Sequence, residues 1–194
     1  FDRELKTAED FRGLKINCSR EESGQIFLKA YLQNNGLELG KDVEFEYVDN
    51  PTTALEGLRS GQCDLFITNN AMGYSYSSSM DDIKVAGIPA DVTGNYPCCR
   101  QNCSEEAYHK KFLSLVDFEI ALIRGYDYYL NNKEDVIKRL VEYSAQPKDY
   151  VEAAMYGTDS YRNVMDLSPD PHTKEVVEYY KAMMSIGEIE QSDY

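Results

Sequence analysis

The chain has 194 residues, of which 42% are hydrophobic and 12% aromatic, and it carries a formal net charge of -14. This length and composition suffice for one large or two small domains, each with a hydrophobic core. The acidity opposes a polyanionic surface and no basic cluster interrupts it, so we expect no nucleic-acid partner. No run reaches the roughly 18 apolar residues of a membrane span, so none is expected.

Strand and helix patterns alternate through the first half of the chain. After a polar helix-like stretch at residues 3–11, the predicted strands are 15–18, 43–48, 64–68 and 83–88. The helices between them begin at Ser23, at Pro51 and, as a turn followed by a weak helix, at Ala71. Alternation of this kind predicts an α/β fold with a doubly wound parallel sheet.

The second half has helical periodicity. One long helix is expected from a cap at Ser104 to Leu130, with an apolar stripe that starts at Tyr108. Further helices are expected from Asn132, from Pro147 and from the Asp170-Pro171 pair, which places His172 at the second position of the last helix.

Two candidate binding segments come directly after predicted strands. Ser19, Arg20, Glu22, Ser23 and Gly24 join the first strand to a helix, whose positive N-terminal end suits a carboxylate, sulfonate or phosphate. Glu21 and Glu22 argue against a strongly anionic ligand there, and the segment also fits an ordinary capped helix start.

Thr68, Asn69 and Asn70 end the third strand. Asn side chains both donate and accept hydrogen bonds, which suits an amide, a heterocycle edge or a zwitterion. The same residues also fit an Asn-rich turn.

Cysteines and histidines give no catalytic or metal pattern. Five cysteines are an odd number in a chain of this length, which does not indicate a disulfide framework. Cys98, Cys99 and Cys103 lack the paired spacing of a zinc site, so they are either small buried residues or include one local disulfide. Neither His109 nor His172 lies in a recognisable motif, so we expect no catalytic residue, metal or cofactor.

Three segments together resemble a known family. They are Leu14-Lys15-Ile16 ahead of Ser19 to Gly24, then residues 37–48, then Thr53-Ala54-Leu55-x-x-Leu58-x-Ser60-Gly61-Gln62-x-Asp64. They are similar to the second lobe of type II solute-binding proteins of ABC importers, in the branch of nitrate, taurine, aliphatic sulfonate and thiamine-pyrimidine-precursor receptors. The helical half of the chain resembles the helical region after that lobe in the family, and the likeness spans residues 8–192.

The resemblance implies a periplasmic-binding-protein-like fold of type II. Residues 1–96 would form one α/β lobe, and residues 97–194 a crossover strand and helices that return to the other, largely absent lobe. The family often has an aromatic and an acidic residue after the third strand, whereas this chain has Asn69 and Asn70, so the ligand class does not carry over. Ligand contacts are implied at Ser19, Arg20, Glu22, Ser23, Gly24 and Gln25, at Thr68, Asn69 and Asn70, and near the crossover at residues 96–99, with Cys98 among them.

The same resemblance implies a substrate-binding component of an ABC importer. It would capture a small polar organic molecule, sulfonate-, amino-acid- or pyrimidine-like, in an interlobe cleft and present it to the importer's membrane subunits. The setting would be extracytoplasmic, either periplasmic or as a cell-surface lipoprotein. No charged and apolar leader precedes Phe1, so either export is absent or a leader has been removed.

Alternatives remain open at this point. One is an enzyme on the same fold, of the thiamine-pyrimidine or menaquinone-pathway type, and another is the ligand-sensing domain of a membrane receptor. Because the first lobe of the family has no counterpart here, the stripe from Tyr108 to Leu130 would lack its cover. We therefore expect either a missing first lobe or self-association through the helical half.

Overall fold

The computed structural model describes residues 3–20 and 22–190. Residue contacts divide the chain into two units. Unit 1 contains the described residues up to 69, residues 80–98 and residues 172–190, and unit 2 contains residues 70–79 and 99–171. The chain therefore passes from one unit to the other four times, and neither unit is a continuous segment.

Unit 1 is built on a small parallel sheet. Its elements are β1 (Lys15–Cys18), α1 (Ser23–Asn34), β2 (Glu44–Tyr47), α2 (Pro51–Ser60) and β3 (Leu65–Ile67). The strand order is β2-β1-β3, and both pairs with β1 are parallel. The α/β class is thus confirmed, and each of these five elements lies where the sequence predicts it.

Local signals explain these elements. The Asn50 side chain accepts from the Thr53 N–H at 2.9 Å and Pro51 opens α2, while Gly61 ends it in the left-handed conformation at φ 73°. At Gly57 of α2, an added Cβ would lie 2.9 Å from Nδ2 of Asn17 on β1. A glycine is therefore required for α2 to lie this close to the central strand.

The core of unit 1 lies between the sheet and α1. A short 3-10 helix at Ala8–Phe11 closes one end of it and carries a capping box from Thr7 to Asp10. The buried cluster consists of Ala8, Phe11, Leu14, Ile16, Leu28, Leu32, Leu37 and Val43. Removal of this apolar surface from water contributes about 25 cal/mol per Å² and is the main stabilisation of the unit.

The strand predicted at residues 83–88 is wrong. This segment is irregular and lies between α3 (Asn70–Ser79) and α4 (Pro89–Thr93). Within the described residues, β3 pairs with β1 alone. Val85 is 46% exposed, so the apolar alternation of the segment does not supply a buried sheet face.

The single long helix predicted from Ser104 to Leu130 is also wrong in its continuity. The structure has α5 (Glu105–Lys110) and α6 (Phe112–Asn131), with a break at Lys111, where φ is -129° and ψ is 25°. The Ser104 cap is present, because its hydroxyl accepts from the Ala107 N–H at 3.1 Å. No glycine or proline marks the break in the sequence.

Three more helices follow within the described residues. They are α7 (Lys133–Ser144) and α8 (Lys148–Met155) in unit 2, and α9 (Thr173–Ser185) in unit 1. Ile137 of α7 and Val151, Ala153 and Ala154 of α8 are buried, and α8 packs against both α7 and α3. None of the helices in the described part of the chain is long and apolar enough to cross a bilayer.

The predicted domains, residues 1–96 and 97–194, stay a prediction about lobes. The contact division places one change of unit at residues 98 and 99, next to that boundary. It also assigns α3 to unit 2 and α9 to unit 1, which a single boundary cannot do. Sequence segments and packed units therefore do not coincide in this chain.

Candidate functional site

Two of the predicted binding segments meet at one edge of the sheet. Cys18 at the end of β1 is in register with Ile67 at the end of β3. Ser19 and Thr68, the next residues of each strand, therefore lie at the same edge, with Arg20 and Asn69 beyond them. In parallel sheets this edge is where ligands bind.

The N-terminus of α1 rises from this edge. Ser23, Gly24 and Gln25 form its first turn and are buried, and Glu22 is the N-cap residue. The first-turn N–H groups of a helix have no acceptor within the helix and carry its positive dipole end. Glu21 lies outside the described residues.

Gln25 is the least expected member of this turn. Its side chain is 1% exposed, and its Oε1 atom has no hydrogen-bond partner among the described residues. A buried acceptor in this state costs about 1–3 kcal/mol, and most such groups in proteins are satisfied. Asn17 on β1 has a second such oxygen, Oδ1.

Tyr96 brings the residue 96–98 segment to the same helix end. Its hydroxyl lies 2.7 Å from the position that a Cβ on Gly24 would occupy, and its ring stacks on Phe27 with centroids 4.9 Å apart. Burial raises the pKa of Tyr96 to about 12, and the nearby Cys98 and Glu22 add to this. The predicted site residue Gly24 thus lies against this phenol, and the charges of Cys98 and Glu22 are near enough to affect its pKa.

A cluster of charged and phenolic side chains lies near Arg20, at the end of β2. The guanidinium carbon of Arg20 is 4.0 Å from the ring centroid of Tyr47, the last residue of β2. Lys29 donates to the Tyr47 hydroxyl at 2.6 Å, and that hydroxyl donates to Glu188 at 2.6 Å. Lys29 also forms an ion pair with Glu188 at 3.7 Å.

Burial sets the protonation of this cluster. It lowers the pKa of Lys29, raises the pKa of the Cys18 thiol to about 11, and raises the pKa of Tyr47 to about 12 with help from the bond to Glu188. Cys18 is therefore an inert thiol rather than a nucleophile. No sequence pattern indicated Lys29, Tyr47 and Glu188 as neighbours, because they come from α1, β2 and the segment after α9.

Asn70 has a different place from the one predicted. It is the first residue of α3 in unit 2, where its Nδ2 donates to the carbonyl of Ala154 at 3.2 Å. Its own carbonyl accepts from the Tyr161 hydroxyl at 2.7 Å. These bonds hold α3 to the rest of unit 2, so the structure gives Asn70 a packing role and leaves its ligand role a prediction.

The described residues contain no group of three or more His, Cys, Asp or Glu side chains placed to hold a metal ion. No disulfide joins Cys18, Cys63, Cys98, Cys99 or Cys103. His172 is the N-cap of α9 rather than its second residue, with φ at 46° and Nδ1 4.0 Å from Glu175.

A concavity of about 570 Å³ in unit 1 lies elsewhere. Residues 3–6, residues 84–87 and Asp91 line it, and none of the predicted site residues is among them. Its wall comes from the irregular segment before α4. The strand ends and this hollow are thus separate features, and buried polar groups converge at the strand ends and not in the hollow.

The chain resembles a known protein in structure, while its sequence matches no family model and no curated protein. Among solved structures it is similar to the alkanesulfonate-binding protein SsuA from Xanthomonas axonopodis pv. citri bound to MOPS, with a TM-score of 0.59 and 17% sequence identity. The likeness is one of fold.

This match covers 95% of the chain and 59% of the SsuA chain. The chain therefore spans about three fifths of the length of that structure. The expected resemblance to a solute-binding fold is supported at the level of fold, including the small parallel sheet and the helices that come after it. The ligand and the transport role remain matters of proposal.

Proposed function

We propose that the chain is a solute-binding protein, or the greater part of one, which takes up a small polar organic molecule at the carboxyl ends of β1 and β3. The observation that carries this proposal is the buried Oε1 of Gln25 in the first turn of α1, which has no hydrogen-bond partner within residues 3–20 and 22–190. A ligand that donates a hydrogen bond to this oxygen would remove a cost of about 1–3 kcal/mol.

The surrounding groups indicate a ligand with both an acceptor and a donor. The N–H groups of Ser23 and Gly24 and the Tyr96 hydroxyl beside Gly24 are donors, which suit a sulfonate, carboxylate or ring carbonyl oxygen, whereas the Gln25 N–H donates to the Glu22 carbonyl at 3.3 Å. Gln25 is an acceptor and suits an amino or ring N–H group. Aminosulfonates, amino acids and pyrimidines combine both functions, and the nearby Glu22 disfavours a ligand of high negative charge.

Titration calorimetry and thermal unfolding test this proposal. The probes are MOPS and taurine for sulfonates, alanine for amino acids and cytosine for pyrimidines. Saturating ligand at about 100 times its Kd adds about 2.7 kcal/mol to stability, which corresponds to a Tm increase of about 5–11 °C. We expect one of these classes to give such an increase, and the proposal fails if none does.

A substitution localises the binding. Gly24→Ala places a methyl group 2.7 Å from the Tyr96 hydroxyl and must displace it, so it should weaken binding of the active probe. Gly125→Ala on α6 is the matched control, because an added Cβ there meets no atom within 4 Å. Equal affinities for both variants would place the ligand elsewhere.

We further propose that the bound molecule is passed to the membrane subunits of an ABC importer and that the protein acts outside the cytoplasm. The similarity in fold to a binding protein supports this setting. The enzyme alternative is tested by replacing Cys98 and Cys99 with Ser, since a cysteine-dependent enzyme loses turnover, whereas in a receptor the change at Cys98 alters affinity at most and the change at Cys99 leaves it unchanged.

A further inference from the structure

Helix α6 carries an apolar seam that the described residues leave uncovered. None of its residues is buried. Positions spaced alternately by three and four residues form one stripe, which we call the α6 seam: Leu113, Val116, Ile120, Ile123, Asp127 and Leu130. Leu113 is 77% exposed, and all six residues are exposed.

A different face of α6 holds it to unit 2. Tyr129 stacks on Tyr156 with ring centroids 4.6 Å apart, and its hydroxyl donates to the carbonyl of Met155 at 2.5 Å. Leu122 and Tyr126 are half-buried on the same side. At 100° per residue this side lies about 120° around the helix from the α6 seam. The seam is therefore a second apolar face, left over after the helix has packed in its own unit.

The spacing of the seam specifies the kind of partner. Alternate steps of three and four residues give a period of 3.5, which is the pattern by which one helix packs along another. A narrow stripe of this kind is typical of helix-on-helix packing, whereas a helix that packs on a sheet usually has a broader apolar face. The partner that fits is therefore a second amphipathic helix lying nearly along α6.

The α6 seam is long enough for a stable interface. Helix α6 has 20 residues and is therefore about 30 Å long. Its exposed apolar side chains follow this length from Leu113 to Leu130. A surface of this extent is on the scale of a standard interface, to which each partner contributes roughly 800 Å².

We propose that the partner is the α6 seam of a second copy, packed antiparallel. A two-fold axis between Ile120 and Ile123 pairs each of these residues with the other in the second copy. It also places Asp117 beside Arg124 of the second copy, and this opposite-charge pair occurs twice. Arg124 is the only cation of α6, and neither residue forms an ion pair with another described residue at 4.0 Å or less.

Asp127, the polar residue of the α6 seam, decides whether the two helices pack parallel or antiparallel. A parallel pair in register would place Asp127 against Asp127 of the second copy, and two like charges in a seam repel each other. In the antiparallel pair Asp127 lies opposite Val116 of the second copy, and the two Asp127 side chains are far apart. The antiparallel arrangement is therefore the one that the charges of α6 favour.

Sedimentation equilibrium of the chain from about 1 μM to about 200 μM tests the association, since interfaces of this size class give Kd values within or below this range. We expect a reversible dimer. Ile120→Glu places a charge in the seam and should raise the dimer Kd by about a hundredfold or more. Its matched control is Ala121→Glu, the next residue on the exposed back of the same helix, which should leave the Kd unchanged.

Charge reversal tests the geometry. Asp117→Arg and Arg124→Asp should each raise the Kd by about tenfold or more, because each puts like charges together twice. The double reversal restores opposite pairs and should return the Kd to within about threefold of the starting value. This rescue also shows that the single variants fold.

Two results overturn the proposal. A monomer over the whole concentration range shows that a second copy does not cover the seam, and a further segment of polypeptide is then the occupant. A dimer that is insensitive to Ile120→Glu, or that the double reversal does not rescue, shows that another surface or direction is used. Neither result bears on ligand binding at α1, so this test is independent of the proposed function.

Discussion

Replacing Gln25 by Met separates a ligand-binding role from a packing role of the α1 turn. Met is unbranched and close to Gln in length, so it keeps the packing and removes the buried Oε1, for which the described part of the chain offers no partner. Without ligand, loss of this acceptor should raise the free energy of unfolding by about 1–3 kcal/mol. For a chain of 194 residues this corresponds to about 2–4 °C in Tm per kcal/mol.

Binding should change in the opposite direction. The hydrogen bond to the ligand contributes about 0.5–1.5 kcal/mol, so its loss weakens the active probe about two- to tenfold. The assay is thermal unfolding of both proteins with and without probe, followed by calorimetric titration. Gln33→Met is the matched control, because Gln33 is an exposed glutamine near the other end of the same helix.

One outcome would refute the reasoning. If Gln25→Met lowers Tm without ligand and leaves the affinity unchanged, then Oε1 is satisfied inside the folded protein and contributes to stability alone. The Gln33→Met variant should change neither quantity. A loss of Tm in both variants would instead indicate a general cost of Met in α1.

Three further outcomes are expected. Gly57→Ala should lower the free energy of unfolding in urea by about 1–3 kcal/mol, because the methyl group would lie against a buried amide of β1, and an unchanged midpoint would contradict the tight packing. The free energy of unfolding should fall as pH rises from about 9. Folding raises the pKa of Cys18 to about 11 and that of Tyr47 to about 12, so these groups lose their protons at a lower pH in the unfolded chain than in the folded one. A pH titration of unfolding that stays flat between 9 and 11 would exclude this linkage. Glu188→Gln should cost about 1–3 kcal/mol, since buried Lys29 loses its charged partner, whereas Glu190→Gln should cost nothing measurable.

Local signals made the first five elements of unit 1 predictable. Asn50, Pro51 and Gly61 mark α2, and apolar spacing with Ser23 marks α1. These signals act over a few residues and do not depend on the rest of the chain. The prediction of a strand at 83–88 was wrong because apolar alternation is a local pattern, whereas a strand also needs a neighbouring strand to pair with. That pairing depends on residues far away in sequence.

The adjacency of the candidate segments was predictable from the sequence, but their side-chain contacts were not. Ser19 and Thr68 could be placed at one edge because parallel strands fix which ends adjoin. Tyr96 beside Gly24, and Glu188 beside Lys29, join residues that no spacing rule relates. The unpartnered oxygen of Gln25 could not be predicted either, because it is a property of the packed interior.

The interrupted course of unit 1 has a consequence for how the protein is made. Phe27 of α1 stacks on Tyr179 of α9, and all of residues 99–171 are synthesised between the earlier parts of unit 1 and α9. At about 5–20 residues per second, the ribosome takes roughly 4–15 seconds over that stretch. During this time the α1 face that α9 will cover is exposed, and unit 2 can fold first. The last helix is therefore the one that completes the first unit, and a chain truncated before it would leave that unit open.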